Sequence, residues 1–145
     1  MFKTILVPTD GSPLSDKAIN AAVEFARSNG GKLIGLSVAE PDPYTPGNAS
    51  AYGAVADLYD KKMQELATIY VKEIADRART ANVPCETRVV QSFNPYEEII
   101  KAAEQTHCDI IFMASHGRKG LNKLFAGSET QKVLAHSTIP VLVFR

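Results

Sequence analysis

The chain has 145 residues, of which 45% are apolar and 22% are charged. A length and composition so close to the globular average favour one folded domain and argue against wholesale disorder. Sixteen Lys and Arg balance sixteen Asp and Glu, which argues against a protein that holds nucleic acid or an anionic membrane through its overall charge.

No apolar run in the sequence approaches the roughly 18 residues that a membrane span requires. The apolar run after Lys3 is also shorter than the roughly 7–15 residues at the centre of a signal peptide. Cys85 and Cys108 lack the spacing of a redox motif or a metal site, which favours small buried apolar side chains over a redox role. The sequence therefore predicts a cytoplasmic protein.

Five short apolar runs, most of them rich in β-branched residues, alternate along the chain with helical patterns. Runs of this kind are typical of strands that helices cover on both faces. We predict strands over residues 4–7, 33–38, 87–90, 110–114 and 139–144.

Four helices are predicted between these strands. The first follows the N-cap Ser12 and a proline, and it ends near residue 29 at a pair of glycines. The second covers residues 55–81, and the fourth covers residues 128–136. Asn94 and Glu97 open the third in a pattern close to a capping box.

This alternating order predicts an α/β fold, a single-domain open five-stranded parallel sheet with helices on both faces and Rossmann-like connections. Residues 1–145 show no internal repeat and no second domain. Residues 39–53 interrupt the pattern with prolines and glycines. A loop of this length is usually functional or mobile, and a tolerated insertion is the alternative.

Asp10 directly follows the first predicted strand and precedes the first helix. Ligands of an open α/β sheet bind beyond the carboxyl ends of the strands, where the strand order switches. A carboxylate at that edge can accept hydrogen bonds from ribose hydroxyls or hold a metal ion. Capping the turn is the alternative role.

Two glycine-containing segments reach the same edge, residues 115–120 after the fourth strand and residues 126–130 at the start of the last helix. Glycine lets backbone N–H groups approach an anion, and a helix N-terminus presents unpaired donors. Four cations surround these segments against the single acid Glu129, which suits a polyphosphate; they are Arg118, Lys119, Lys123 and Lys132. An ordinary tight connection is the alternative.

The common nucleotide signatures are missing, since the sequence contains neither GxxxxGK[ST] nor GxGxxG. Asp10 also lacks the neighbouring acids that a phosphoacceptor receiver domain would carry. Of the three histidines, His107 and His136 lie at predicted helix C-termini, where a cap explains them. His116 is left as the candidate for a functional role.

Long stretches at both ends of the chain carry a family resemblance: KTILVPTDGSPLSDKAINAAVEFA and DIIFMASHGRKGLNKLFAGSETQKVLAHSTIPVLVFR. With the long helix between them, they resemble the universal stress protein family over the whole chain. Its ATP-binding members carry Gly, two residues, Gly, nine residues and then Gly-Ser or Gly-Thr. Gly117 and Gly127-Ser128 match this motif, and Ala114 stands in place of the first glycine.

Alanine at position 114 is harmless if the strand end is extended, and it is strained if the family glycine has positive φ. We expect the extended case. The resemblance implies an adenine nucleotide alpha hydrolase-like fold and an ATP site with Mg²⁺. It implies adenine and ribose contacts from Pro8, Thr9, Asp10 and the Val38 backbone. It implies phosphate contacts from Gly117, Gly127, Ser128, Glu129 and Thr130, with Met113, Ala114, His116 and Arg118 completing the site.

For Glu129 and Thr130 we expect backbone N–H or hydroxyl donation, because a carboxylate would repel phosphate. The resulting prediction is a small ATP-binding stress-response protein that acts as a nucleotide-sensing or regulatory module. One alternative is a nucleotide-independent interaction protein, favoured if the Ala114 methyl blocks the pocket. The other is a slow ATP-hydrolysing or phosphoryl- or nucleotidyl-transferring enzyme, which would need a positioned base such as His116 or Asp10.

The last predicted strand, residues 139–144, has no later segment to cover it. An apolar edge strand invites pairing with another copy, and a two-fold dimer would pair the same strand antiparallel. The family resemblance implies the same homodimer. A monomer with this strand inside its own sheet is the alternative.

Overall fold

The computed structural model describes residues 1–43, 53–117 and 126–145. Its strands are β1 (Thr4–Pro8), β2 (Lys32–Ala39), β3 (Cys85–Gln91), β4 (Ile110–Ala114) and β5 (Val141–Phe144). Its helices are α1 (Pro13–Asn29), α2 (Gly53–Thr80), α3 (Pro95–Gln105) and α4 (Ser128–His136). Every predicted element is present, and most of the predicted loop 39–53 lies outside the described residues.

The five strands form one parallel sheet in the order β3-β2-β1-β4-β5, as predicted. The chain builds outward from β1 to β3, and α3 then returns it to the other side of β1, where β4 and β5 follow. The strand order therefore switches between β1 and β4. The carboxyl ends of these two strands are the place where such a sheet binds ligands.

Alternate strand residues divide the core into two layers. Helices α1 and α2 cover one face of the sheet, whose buried side chains include Ile5, Val7, Ile19, Leu33, Ile74 and Phe112. Helices α3 and α4 cover the other face, whose buried side chains include Leu6, Ile34, Leu36, Ile99, Ile111 and Val133. Both faces of the sheet are thus apolar, which explains the near-continuous apolar runs in the sequence.

Strand β5 is shorter than predicted, because it begins at Val141 rather than at residue 139. The Ile139 N–H donates to Ser137 Oγ at 3.0 Å, and Pro140 has no N–H to donate. The segment before Val141 is therefore a turn held by a serine side chain, and the Pro140 carbonyl, which accepts from the Ile111 N–H, makes the first hydrogen bond to β4.

The N-cap prediction is confirmed for α1, where Ser12 Oγ accepts from the Ser15 N–H at 3.3 Å. The capping box predicted for α3 is wrong. The Asn94 side chain makes no cap hydrogen bond, and Glu97 accepts instead from the Tyr96 hydroxyl at 3.0 Å. The first turn of α3 is capped from outside, since its Tyr96 N–H donates to Glu129 Oε2 of α4 at 2.9 Å.

Cys85 and Cys108 are both free thiols, the first half-buried and the second buried in the core. Burial raises the pKa of both thiols, which favours the unreactive protonated form. Among the described residues, no helix has the length and apolar character needed to cross a membrane.

Candidate functional site

The ends of β1 and β4 meet through Asp10 and Gly117. Asp10 Oδ1 accepts from the Ser12 N–H at 3.0 Å, which directs the carboxylate across the start of α1. A Cβ atom on Gly117 would lie only 2.1 Å from Asp10 Oδ2. Glycine at position 117 is therefore needed for close approach, and the structure joins two segments that the sequence separates widely.

Buried hydroxyl groups support the loop that carries Asp10. Thr9 Oγ1 accepts from the Gly11 N–H at 3.1 Å and lies 3.2 Å from Ser15 Oγ. The Thr9 carbonyl accepts from Ser37 Oγ at 2.9 Å. Thr9 thus serves the loop itself, while half-buried Pro8 ends β1 beneath it.

The peptide groups of Val38 point toward β1. In β2 the Lys32 N–H donates to the Lys3 carbonyl, and the Leu36 carbonyl accepts from the Thr9 N–H. The N–H and C=O groups of even-numbered β2 residues therefore point toward β1, because the direction of these groups alternates along a strand. Val38 is the next even position, level with the point where the β1 chain turns into its loop.

Ala114 is the last residue of β4 and lies in register with Phe144. Within the described parts of the chain, the non-glycine residues with positive φ are Phe2, Asn82 and His107. Ala114 is thus an extended strand residue without backbone strain, as expected. Its carbonyl accepts from Thr130 Oγ1 at 2.9 Å, so this hydroxyl docks α4 on β4. The group of Thr130 that is left to donate to a phosphate is its backbone N–H.

Helix α4 begins beside these strand ends with a glycine cap. The Gly127 N–H donates to the Ser115 carbonyl at 2.6 Å, so this N–H is already engaged by the protein. Gly127 itself supplies no capping side chain. The next three N–H groups, those of Ser128, Glu129 and Thr130, have no acceptor within their own helix, and the positive end of the helix dipole lies with them.

Glu129 directs its carboxylate to α3. It accepts from the Tyr96 N–H at 2.9 Å and lies 3.4 Å from Lys132 Nζ. Hydrogen bonding to Glu97 raises the pKa of the Tyr96 hydroxyl. Of the Glu129 groups, only the backbone N–H is left for an anion at the α4 N-terminus.

The whole chain matches one protein family. The model of the Universal stress protein family matches residues 1–145. The chain belongs to this family. A universal stress protein of Thermus aquaticus is 30% identical over 145 residues and covers 100% of both chains.

Two solved structures resemble this universal stress protein closely. MJ0577 of Methanocaldococcus jannaschii superposes with a TM-score of 0.80 at 29% identity, covering 99% of this chain and 96% of the other. A universal stress protein solved in complex with cAMP has a TM-score of 0.70 at 27% identity, covering 99% and 97%. Both share the fold described above, and the second holds an adenine nucleotide.

The remaining predicted residues of this universal stress protein lie in different settings. His116 is half-buried, with Nδ1 3.1 Å from Ser115 Oγ. Met113 is only 5% exposed, and its side chain packs in the α3 and α4 core, so only its backbone reaches the edge. Arg118 lies outside the described residues, as do Lys119 and Lys123.

Sequence reasoning missed the side chains that support this site from a distance. Ser37 and Ser115 are buried hydroxyls at its base, and Tyr70 of α2 lies against Gly11. Serine at a strand end is a common turn residue, and Tyr70 falls on the apolar stripe of its helix. Neither pattern carries a local signal of a role at the site.

Proposed function

We propose that this universal stress protein binds ATP at the carboxyl ends of β1 and β4 and acts as a small dimeric nucleotide-sensing module of the cytoplasm in the stress response. One observation carries the proposal. Asp10 and Gly117 meet beside the N-terminus of α4, whose glycine cap has no side chain. A carboxylate for a sugar and a set of helix donors for phosphate thus lie side by side.

The phosphate half of the proposed site is the first turn of α4. The N–H groups of Ser128, Glu129 and Thr130 would bind phosphate oxygens, aided by the helix dipole. The Ser128 side chain is exposed, so its hydroxyl can add a further donor. Gly127 contributes by lacking a side chain, since its own N–H is already bonded to Ser115.

The nucleoside half is the β1 and β2 side of the switch point. Asp10 would accept from ribose hydroxyls. The Val38 N–H and carbonyl, which face the same side as the β1 contacts, would pair with the edge of adenine, an acceptor ring nitrogen and an amino group. Guanine presents the opposite donor and acceptor pattern at that edge, so this arrangement favours adenine nucleotides.

Two further observations support the proposal. Ala114 adopts an extended conformation, so the departure from the family motif introduces no backbone strain. A relative at 27% identity was solved with cAMP. Within the described residues no cluster of three or more His, Cys, Asp and Glu could hold a metal ion, so the expected Mg²⁺ would be held mainly by phosphate oxygens, with Asp10 the nearby carboxylate.

The test is the thermal stability of the purified protein with ATP and Mg²⁺, followed by calorimetric affinity. A ligand at about 100 times its dissociation constant stabilises the folded state by about 2.7 kcal/mol, so the melting temperature should rise with ATP concentration and rise less with GTP. Asp10→Ala is the matched control that should lose most of the shift.

Each other outcome contradicts part of the proposal. Equal shifts with ATP and GTP would reject adenine recognition. The absence of any shift would favour the nucleotide-independent interaction protein. Steady release of phosphate or transfer to an acceptor would favour the enzyme.

The proposed homodimer forms through β5, which lies at the edge of the sheet. The Pro140 and Phe144 carbonyls accept from the Ile111 and Ser115 N–H groups of the β4 side. The peptide groups at even positions of β5 therefore point toward β4, and those of Val141 and Val143 point away from the sheet. Leu142 is 44% exposed, so the strand also leaves apolar surface for a second copy.

Light scattering tests this interface at micromolar concentration. The wild type should have twice the chain mass of 15.7 kDa. Val143→Pro removes an outward N–H while leaving the bonds to β4, so it should yield monomers. A wild-type mass equal to that of one chain would reject the dimer.

A further inference from the structure

Tyr70 of α2 lies flat against the loop that carries Asp10. A Cβ atom on Gly11 would lie 2.3 Å from Tyr70 Cε1, 2.5 Å from Cζ and 2.7 Å from Cδ1. The ring thus occupies the space that a side chain at position 11 would need. Gly11 also has φ +74°, a conformation that other residues rarely adopt.

Gly11 is the centre of the turn that directs Asp10. The hydrogen bond from the Ser12 N–H to Asp10 Oδ1 spans it at 3.0 Å. The position of the Gly11 peptide therefore decides where the Asp10 carboxylate lies relative to Gly117. A contact that restrains Gly11 therefore also restrains the position of the Asp10 carboxylate.

Buried side chains next to Tyr70 anchor helix α2 to the core. Val71 is buried beside it, and Ile74, one turn further, is fully buried and packs on Gly35 of β2, with Cδ1 3.1 Å from the position of a Cβ. The helix that carries the ring is thus anchored to the core, while the glycine that the ring touches is intrinsically free to change conformation.

We infer that Tyr70 is a positioning residue for nucleotide binding: its ring restrains the Gly11 turn and so keeps the Asp10 carboxylate aimed at the ribose. The inference rests on the proposed ATP site. It assigns to α2 an indirect role in ribose recognition, which Tyr70 exerts through the Gly11 turn and not by contact with the nucleotide.

The test compares ATP with dideoxy-ATP, which lacks both ribose hydroxyls. Tyr70→Ala should weaken ATP binding about tenfold, within the range of coupled neighbouring residues, and leave dideoxy-ATP affinity unchanged. Tyr70→Phe keeps the ring and should bind ATP like the wild type. Ile69→Ala, an exposed neighbour on the same helix, controls for changes in α2 and should also bind ATP normally.

A double-mutant cycle completes the test. In an Asp10→Ala background, Tyr70→Ala should change ATP affinity by less than about twofold, because the carboxylate that the ring positions is gone. Circular dichroism and the melting temperature check that each variant folds, and Tyr70→Leu replaces Tyr70→Ala if the alanine variant does not.

The outcomes separate this inference from the proposed function. A wild type that binds no ATP rejects both. A wild type that binds ATP while Tyr70→Ala binds it equally well rejects the positioning role alone. Equal losses for ATP and dideoxy-ATP, or full additivity with Asp10→Ala, would show a general structural effect and would likewise overturn it.

Discussion

Helices α1 and α4 both begin at the carboxyl edge of the sheet, but they complete their first turns in different ways. Helix α1 begins after Ser12, which is 4% exposed and whose hydroxyl accepts from the Ser15 N–H. Helix α4 begins after Gly127, which has a similar extended backbone, φ −61° and ψ 162°, and no side-chain hydrogen bond. The side chain of Ser12 caps α1, whereas Gly127 has no side chain that could cap α4.

Helix α3 shows a third solution. Its Asn94 cap is inactive, and the Glu129 carboxylate of α4 accepts from its Tyr96 N–H instead. The first-turn donors of a helix need acceptors from a side chain, water or a ligand. Since α1 and α3 have protein acceptors, the contrast favours α4 among these three helices as the one whose N-terminus suits an anion.

The largest expected effect comes from giving α4 the kind of cap that α1 has. Gly127 already has the extended backbone of an N-cap, and a Cβ there would make an ordinary 3.4 Å contact with His116. Gly127→Asp should therefore fold normally and cap the first-turn donors. It should weaken ATP binding about 100-fold, equivalent to about 2.7 kcal/mol, because the new carboxylate takes the donors and repels phosphate.

Calorimetry measures this loss, and Gly127→Ala is the matched control. Alanine adds the same Cβ without a capping group, so it should bind ATP much more tightly than the aspartate variant. Equal affinity of the two variants would mean that crowding rather than donor supply decides binding.

The second change removes the cap from α1. Ser12→Ala deletes the hydroxyl that accepts from Ser15 while keeping the Ser12 N–H that bonds to Asp10. We expect the free energy of unfolding to fall by about 1 kcal/mol, with ATP affinity unchanged. Urea denaturation measures the fall. A weaker ATP affinity would show that the cap of α1 belongs to the binding site as well.

The smallest expected effect concerns the cap that α4 supplies to α3. Glu129→Gln keeps an oxygen acceptor for the Tyr96 N–H but removes the negative charge at the N-terminus of α3. The free energy of unfolding should fall by about 0.5 kcal/mol, measured by urea denaturation at low salt. Glu129→Ala removes the acceptor too and should lower the free energy of unfolding further. Equal effects of the two variants would contradict a role for the hydrogen bond.

The fold was largely predictable because its signals are local. Apolar runs bounded by glycine and proline predicted all five strands, and Ser12 with its following proline predicted the start of α1. The capping box at Asn94 was wrong, although it too is a local pattern. The Asn94 N–H donates to Ser92 Oγ and the Glu97 N–H donates to the Asn94 carbonyl, so both N–H groups that a capping box would pair have other acceptors.

The candidate site was predicted in part. Asp10 and Gly117 were both expected at the sheet edge, but their contact depends on β1 and β4 being neighbours, which local patterns do not encode. Phosphate contacts were expected from Gly127 and from the N–H or hydroxyl of Thr130. The structure uses the Thr130 hydroxyl and the Gly127 N–H to dock α4, on Ala114 and Ser115.

The sequence by itself determined the elements, their order and the chemistry available at the carboxyl edge, because strand periodicity, caps and glycine conformations act over a few neighbouring residues. Only the tertiary structure decided which of those groups are already engaged by the protein and which face outward. Tyr70 against Gly11 and Glu129 against Tyr96 join segments that are far apart in the chain. Such contacts arise from packing between elements, which no local sequence pattern records.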